Sequence, residues 1–384
     1  MAIITSKLAK CVAVEIAKRA PFLKIGAKDY FSEQINGQMK AGKEYSFVIP
    51  DAGNVVSNSM VASPRAIDEK SVDLTIQTYN NSVETGALDG ITDLKWEDEI
   101  ASQYAAKLIN AVLADNVEAA MSKASTAFIG RGYQPIAKAG AHVQSITTDE
   151  VVGFIDPMAQ AVLASNGQQF VPNGAPGDLY GKGKLGIFQG VDYTAERFIK
   201  SIVVSDAAVA ALTGATATLA GTTLTVTLAS SATIPAGTPI MVEGLYACDT
   251  VGDATGSLYA FILDEDKTGA SFTIDLAAKK IENSNVGARA VAGSATNAAV
   301  ISFTEAGTYR RGLVRAEGAY CFSPVNKLDF KLSEKYAEGD VDGMKVMVNQ
   351  FSDGINAKNL TRWDMCFLAG VVEPRACSVA YFKD

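Results

Sequence analysis

The spacing of hydrophobic residues divides the chain into helical and extended parts. In residues 5–20 and 94–124, apolar side chains recur about every four positions, which is typical of amphipathic helices. Across residues 223–228, polar and apolar side chains alternate, as in a strand with one buried face. The pattern therefore predicts an α+β protein.

The N-terminal helix is predicted over residues 5–20, where Leu8, Val12 and Ile16 form the apolar stripe and Pro21 ends the helix. A helix this short is marginally stable when isolated. We therefore expect it to lie against another surface, either the body of its own chain or a neighbouring subunit.

A long hairpin is predicted next. Residues 43–49 and 71–79 have the composition of strands, and the residues between them are rich in Asn, Ser, Gly and Pro with few apolar side chains. Connections of this length and composition dock on a partner or stay mobile. We expect the tip of this hairpin to reach outward.

The strongest helical signal covers residues 94–124, which contain no Gly or Pro. Thr92 or Asp93 would cap its start. At 1.5 Å per residue the helix would be roughly 45 Å long, about the width of a domain. Its apolar stripe consists of Trp96, Ile100, Tyr104, Leu108 and Val112.

Residues 130–190 are glycine-rich and contain one helix candidate, 156–165, before apolar residues return at 193–204. From 206 to 305 the composition changes to Thr, Ala, Gly and Ser, with several short strand candidates that predict a small antiparallel barrel or sandwich inserted into the chain. These candidates are 223–228, 239–242, 258–263, 272–276 and 299–303. The closing strands are predicted at 344–350, 360–372 and 376–382.

Composition narrows the functional classes. The 384 residues are 48% hydrophobic and 20% charged, as in a folded protein, and the formal net charge of −8 argues against sequence-specific nucleic-acid binding. The N-terminus lacks the apolar core of a secretory signal and residues 199–221 make a poor membrane span. We expect a protein made in a cytoplasm, without membrane contact, and five cysteines that are buried thiols because their spacing fits no metal site.

Catalytic motifs are weak. His142 is the one histidine, which excludes catalytic mechanisms that need a second imidazole. We interpret it as a structural residue. Gly181, Gly183 and Gly186 spell G-x-G-x-x-G, but no strand precedes them and no helix follows, which favours a flexible loop. We predict no catalytic residue and no cofactor.

One segment resembles a calcium loop. Asp264, Asp266, Thr268 and Asp275, with Gly269 at the sixth position, follow the EF-hand spacing. Both flanks, LYAFIL and SFTIDL, are strand sequences, and a glycine suits a hairpin turn. We therefore predict a plain hairpin, with a calcium site as the weaker alternative.

The order of these parts resembles the major capsid proteins of tailed phages of the Hong Kong 97 type. Their N-arm, E-loop, spine helix, A-domain and P-domain correspond here to the terminal helix, the hairpin, residues 94–124, the glycine-rich region and the closing strands. Residues 186–204 (GIFQGVDYTAERFIKSIVV) resemble the A-domain segment that leads into an insertion, and residues 370–380 (GVVEPRACSVA) resemble closing P-domain strands. The inserted β-region resembles the I-domain of short-tailed phage coat proteins.

The resemblance implies a set of domains: N-arm 1–40, E-loop with flanking P-domain strands 41–90, P-domain with spine 91–140, A-domain 141–205, I-domain 206–305, A-domain return 306–345 and closing P-domain strands 346–384. It also implies a structural protein, not an enzyme. Copies would form the pentamers and hexamers of an icosahedral shell, with a scaffolding protein, a portal and non-specifically contacted DNA as partners. The sequence leaves open an encapsulin-like compartment and a phage tail or surface-adhesion protein, while a single histidine disfavours a hydrolase.

Overall fold

The computed structural model describes residues 2–31, 44–49, 70–86, 96–167, 186–220, 223–249, 254–275, 288–290, 297–325, 335–341, 344–353 and 358–383. The chain forms two compact units. Unit one contains Met1–Tyr45, Asp73–Asn116 and Cys321–Gly370; unit two contains Ser46–Val72, Val117–Tyr320 and Val371–Asp384.

The helices in the described stretches are α1 Ala2–Arg19, α2 Pro21–Lys24, α3 Trp96–Ser122, α4 Gln134–Ile146, α5 Pro157–Gly167 and α6 Asp206–Leu212, with a 3-10 turn at Pro374–Ala376. The strands are β1 Ala27–Lys28, β2 Glu44–Ile49, β3 Lys70–Gly86, β4 Thr126–Gly130, β5 Val151–Ile155, β6 Gly186–Phe188, β7 Val191–Ala195, β8 Ile202–Val204, β9 Thr216–Ala220, β10 Thr223–Ile234, β11 Pro239–Cys248, β12 Ala254–Ile262, β13 Lys267–Asp275, β14 Ala288–Ala290, β15 Ala298–Ile301, β16 Gly307–Ala316, β17 Tyr320–Pro324, β18 Lys335–Val341, β19 Met344–Asp353, β20 Lys358–Val371 and β21 Cys377–Lys383. No helix in these stretches has the length and apolar character needed to cross a membrane.

Unit one is built on a sheet in the order β1-β17-β20-β19-β18, with β3 also paired to β20. The long helix α3 packs on this sheet, because the Tyr104 ring stacks on that of Trp363 at 5.2 Å. The Tyr79 hydroxyl on β3 donates to Asp115 on the helix at 3.1 Å. The predicted helix at 94–124 is confirmed, and Trp363 is one of the largest fully buried side chains.

The N-terminal helix lies on its own chain. Its face of Ala9, Val12, Ala13 and Ile16 is fully buried, and α1 packs on β18 and β19 of the same unit. A Cβ atom at Gly339 of β18 would lie 2.1 Å from the Ala9 carbonyl oxygen, so helix and strand are in backbone contact. Of the two surfaces expected from the sequence, the structure shows the helix on the body of its own chain.

The N-terminal half agrees with the sequence prediction in one detail and differs in another. Helix α1 ends at Arg19, before Pro21 as predicted, and Pro21 begins the separate short helix α2, where proline is tolerated because the first-turn N–H has no helical partner anyway. Strand β3 continues to Gly86, seven residues beyond the predicted end, because its residues from Ile76 to Gly86 pair with β20. β2 pairs with β3 as the hairpin prediction requires, and the hairpin tip at 50–69 lies outside the described residues.

Unit two contains a central sheet in the order β4-β21-β16-β5-β7-β6, with β8 also paired to β16. β21 runs parallel to β4 and antiparallel to β16. Helix α4 covers one face with buried Ile136, Ala139 and Val143. Neither α4 nor β5 was predicted, since glycine and alanine there suggested a loop; Gly140 instead faces Val191 Cγ2, 3.2 Å from its Cβ position, and allows close packing of helix and sheet.

Strands β9 to β15 form a separate sheet, called here the inserted sheet, in the order β12-β11-β15-β9-β10-β13 with β14 on β11. Alternation in β10 is confirmed, because Leu224, Val226 and Leu228 are buried. The two edge strands β12 and β13 do not pair with each other; four residues join them. The five Cα–Cα steps from the end of β12 to the start of β13 span at most ~18 Å. A flat sheet of six strands would be ~24 Å wide, so the sheet curls to bring its two edges within that reach. The predicted hairpin between these strands is wrong.

The units do not follow the domain boundaries expected from the sequence. Strands β4 and β21 were assigned with the spine and the closing strands, but their parallel pairing places Thr126 opposite Ser378 in the central sheet. Strand β18 was assigned to the A-domain return, but it pairs with β19 in unit one. Pairings between segments this distant in sequence leave no signal in local spacing.

Candidate functional site

The inserted sheet leaves and rejoins the central sheet at neighbouring positions. β8 precedes it and β16 follows it, and the two strands pair antiparallel with Val204 opposite Gly307. We call this pair, with Glu118, Arg311 and Glu305 beside it, the insertion base. The chain therefore leaves the central sheet at the end of β8 and re-enters the same sheet at the start of β16, directly beside β8.

An ion pair between a buried arginine and a half-buried glutamate holds the first side of the insertion base. Arg311 on β16, whose side chain is 3% exposed, donates to Glu118 at 2.6 Å. Its Nε donates to the Lys200 carbonyl at 2.6 Å, and the Lys200 N–H donates back to the Glu118 carboxylate at 3.3 Å. A buried guanidinium is tolerated when carboxylate and carbonyl acceptors satisfy it. The end of α3 is thus tied to the segment that leads into the inserted sheet.

A turn of the inserted sheet packs beside the Arg311–Glu118 ion pair. The Tyr381 hydroxyl on β21 donates to the Gly237 carbonyl at 2.8 Å. Gly237 has φ +82, and a Cβ there would lie 2.7 Å from Ile202 Cδ1 and 3.0 Å from Arg311 Nη1. Only glycine therefore satisfies both the left-handed backbone and the close contact. Burial raises the pKa of Tyr381, so its hydroxyl stays a donor.

Two further contacts join the inserted sheet to the central sheet. The Ala260 N–H on β12 donates to the Ser125 carbonyl, just before β4, at 2.9 Å. His142 on α4 is buried with Nδ1 3.3 Å from the Ser257 hydroxyl of β12. Burial lowers the pKa of His142 to about 4, so the ring is neutral near pH 7. The one histidine therefore lies in a packing contact.

An exposed cluster holds the second side of the insertion base. Glu305, which precedes β16, accepts from Arg131 at 2.6 Å and from Lys383. Hydrogen bonds from Lys383 and Arg131, with their charges, hold the pKa of Glu305 below its usual range. The Tyr309 hydroxyl also donates to the Glu305 carbonyl at 2.8 Å. The end of the insertion is thus attached to β4 and β21.

The core of the central sheet contains a second buried cation. Arg315 lies between the rings of Phe154 at 4.8 Å and Tyr320 at 4.3 Å, measured from Cζ to the ring centroids. Burial lowers its pKa to about 10, which leaves it charged near pH 7. Cation–π contacts of this kind stabilise a desolvated guanidinium. Arg315 serves packing in this position.

The segment 370–380 contains a compact ion pair. Within the 3-10 turn before β21, Arg375 donates to both carboxylate oxygens of Glu373 at 2.7 Å. The same carboxylate accepts the Arg375 N–H at 3.3 Å. The pKa of Arg375 is raised by Glu373 despite its burial. This pair rigidifies the connection between β20 and β21.

The fold does not bring the calcium-loop residues together. Asp264 and Asp266 lie in the turn before β13, where Asp266 Oδ1 accepts the Ala236 N–H at 2.7 Å. Thr268 lies near the start of β13 and Asp275 ends it, roughly 23 Å away along an extended strand. In the described stretches no three His, Cys, Asp or Glu side chains are placed to hold a metal ion.

The remaining candidates do not form a site. Gly181 and Gly183 lie outside the described residues, and Gly186 begins strand β6. The five cysteines form no disulfide, and all except Cys11 are buried. Burial raises the pKa of Cys377 to about 12 and that of Cys366 to about 11, so these thiols stay protonated. The contacts of the insertion base therefore serve to join the inserted sheet to the central sheet.

Comparisons with known proteins give structural likenesses alone. No family model matches the sequence, and no curated protein matches it. The chain is similar to a structure from Mycobacterium phage Che8, with 10% identity, 93% of this chain and 89% of that chain covered, and a TM-score of 0.47. It is also similar to a capsid structure of Cyanophage P-SCSP1u (12% identity, 90% and 85% covered, TM-score 0.43) and to a virus-like particle from Pyrococcus furiosus (8%, 97% and 97%, 0.44).

Proposed function

We propose that this chain is a phage major capsid protein that assembles with copies of itself into the icosahedral head shell around double-stranded DNA. The observation that carries the proposal is the build of unit one. A hairpin strand, β3, pairs with the late strand β20, and the long helix α3 lies on the resulting sheet.

The parts of a Hong Kong 97 fold are assigned to this chain on the same grounds. We take α1 and the following residues as the N-arm, β2 and β3 as the base of the E-loop, and α3 as the spine helix. Unit one then corresponds to the P-domain, and the central sheet with α4 to the A-domain. The paired strands β2 and β3 support the E-loop assignment.

Residues 206–305 are proposed to be an I-domain. Support comes from the separate sheet of strands β9 to β15 and from the pairing of β8 with β16 on either side of it. If the region folds by itself, its isolated fragment gives a dispersed amide NMR spectrum. A spectrum of a disordered chain would remove this assignment without affecting the capsid proposal.

Negative-stain microscopy of the overexpressed full chain tests the function most directly. Closed spherical particles are expected. Long fibres would favour the tail or adhesion alternative, and a persistent monomer under all conditions would refute assembly. Nuclease-protected DNA in particles from infected cells separates a phage head from an encapsulin-like compartment, which shares the shell but not the cargo.

The partners follow from the proposal. A scaffolding protein and a portal would join the chain during assembly in the host cytoplasm, and the finished protein would belong to the virion. Co-purification of the chain with a scaffolding protein from infected cells would identify the first of these. The overall negative charge fits a shell that does not hold its DNA tightly.

A further inference from the structure

Charge is distributed unevenly along the chain. The whole sequence contains 34 Lys and Arg and 42 Asp and Glu residues. Residues 1–31 hold six of the cations and two of the acids, for a net charge of +4, which leaves −12 on the remaining 353 residues. The described residues 2–31, called here the basic segment, are therefore a positive part of an acidic protein.

The fold exposes three lysines of this segment, Lys10, Lys18 and Lys28. Ala9, Val12, Ala13 and Ile16 face the sheet, and Gly339 lets the α1 backbone touch β18. Lys10 and Lys18 lie eight residues apart, hence about 80° apart around the helix and about 12 Å apart along its axis.

The two acidic residues of the basic segment do not cancel its excess of positive charge. Glu15 lies 3.0 Å from the Lys18 ammonium and 3.6 Å from Arg19, so it offsets about one cation. Lys28 is exposed after α2, beside the acidic Asp29. Exposed pairs of this kind are weak, and they exchange for stronger anionic partners.

We propose that the basic segment is the surface through which the protein contacts the phosphates of the DNA it encloses; this rests on the proposed capsid function. DNA presents one negative charge per about 1.7 Å of its axis. The other anionic surface within reach, a second copy of this chain, spreads a net −12 over 353 residues. Of these two, DNA is the ligand with the higher charge density. Lysine side chains on an exposed helix bind it without reading sequence.

The test measures binding of the purified full chain to a fluorescently labelled 30-base-pair duplex by anisotropy, over a series of salt concentrations. The variant K10Q/K18Q/K28Q removes three exposed cations of the basic segment. The matched control K107Q/K138Q/K200Q removes three exposed lysines elsewhere. Circular dichroism confirms that both variants fold.

We expect the basic-segment variant to bind at least tenfold more weakly at low salt and to lose about 2 to 3 from the slope of log affinity against log salt, since each phosphate contact contributes ~0.9. The control should match the wild-type chain. Equal loss in both variants, or no loss in either, would overturn the proposal. Normal DNA binding with failed shell formation by K10Q/K18Q/K28Q would assign the segment to a neighbouring copy instead. Failure of the wild-type chain to form particles concerns the capsid function and is read separately by microscopy.

Discussion

The central and inserted sheets of unit two reach stability by different routes. In the central sheet, β5 and most of β16 and β21 are buried on both faces. In the inserted sheet, β11 is buried at nearly all positions, whereas β10 buries one face and exposes Thr and Ser on the other. A sheet covered on both sides must accommodate any polar residue it contains, whereas a half-exposed sheet turns polar residues to water.

This difference explains where the cations lie. Arg311 and Arg315 are on β16, where Arg311 is paired with Glu118 and Arg315 lies against the rings of Phe154 and Tyr320. Thr225 and Thr227 of the inserted sheet need no such partner because they lie at the surface or partly so. Substitutions in the central sheet should therefore be more destabilising than equivalent ones at the exposed positions of the inserted sheet.

The largest effect is expected for Arg311→Ala. It removes two hydrogen bonds at 2.6 Å and leaves Glu118 partly buried without its cation. We expect a loss of about 3 kcal/mol in the free energy of unfolding, measured by urea denaturation. A loss below about 0.5 kcal/mol would show that the pair does not hold the insertion base.

The contact between the two sheets should be sensitive to acid. The pKa of His142 is about 4 in the folded protein, against about 6.5 when unfolded, so the unfolded chain binds a proton first. Stability from this residue is complete above pH 6.5 and falls by about 3 kcal/mol as the pH drops to 4. Histidine-selective NMR gives the pKa directly, because there is one histidine.

His142→Gln is the control for that pH dependence. It should flatten the fall in stability between pH 6.5 and 4 while leaving the acid response of the carboxylates in place. If the wild-type and variant stability curves stay parallel over this range, the histidine is not the titrating group.

Glycine-to-alanine substitutions test the same comparison between the central and inserted sheets, with smaller expected losses of stability. At Gly153 in the central sheet, a Cβ would lie 2.3 Å from ring atoms of the buried Tyr193, so Gly153→Ala should cost about 1 to 3 kcal/mol. At Gly256 in the inserted sheet nothing lies within 4 Å, and Ala meets backbone strain alone, ~1 kcal/mol. Thermal unfolding of the two variants gives the comparison, which fails if Gly256→Ala is the more harmful.

The smallest effect is expected for Arg131→Ala. Its side chain is 70% exposed, although it lies 2.6 Å from Glu305. Exposed pairs contribute at most about 1 kcal/mol, and Lys383 still contacts the carboxylate in the variant. A urea midpoint close to that of the wild-type chain is expected, and a change as large as that of Arg311→Ala would contradict the assignment of this cluster to the surface.

The sequence correctly predicted elements whose apolar residues recur with a regular period within one helix or strand. The helix at 94–124 and the alternating strand at 223–228 were confirmed because one periodic face of each is buried. Helix α4 was missed because Gly140 there reads as a helix breaker, although it makes room for Val191. Glycines selected for close packing cannot be told from glycines in loops by sequence spacing.

The insertion base was beyond the reach of the sequence. Arg310 and Arg311 within an apolar strand signal that some partner exists, but nothing local points to Glu118, which is almost two hundred residues earlier. The same holds for Tyr381 and Gly237, which meet across the two sheets. The calcium-like spacing is the opposite case: it assumes a coiled loop where the chain is an extended strand.

The pairing of Val204 with Gly307 has a practical meaning for protein engineering. Facing residues of an antiparallel pair are about 5 Å apart, so a short turn would join them. The excursion between them is thus exchangeable in principle: a guest domain whose ends lie equally close would graft onto the same two strands. A shell that tolerated such grafts would display or carry one guest per copy.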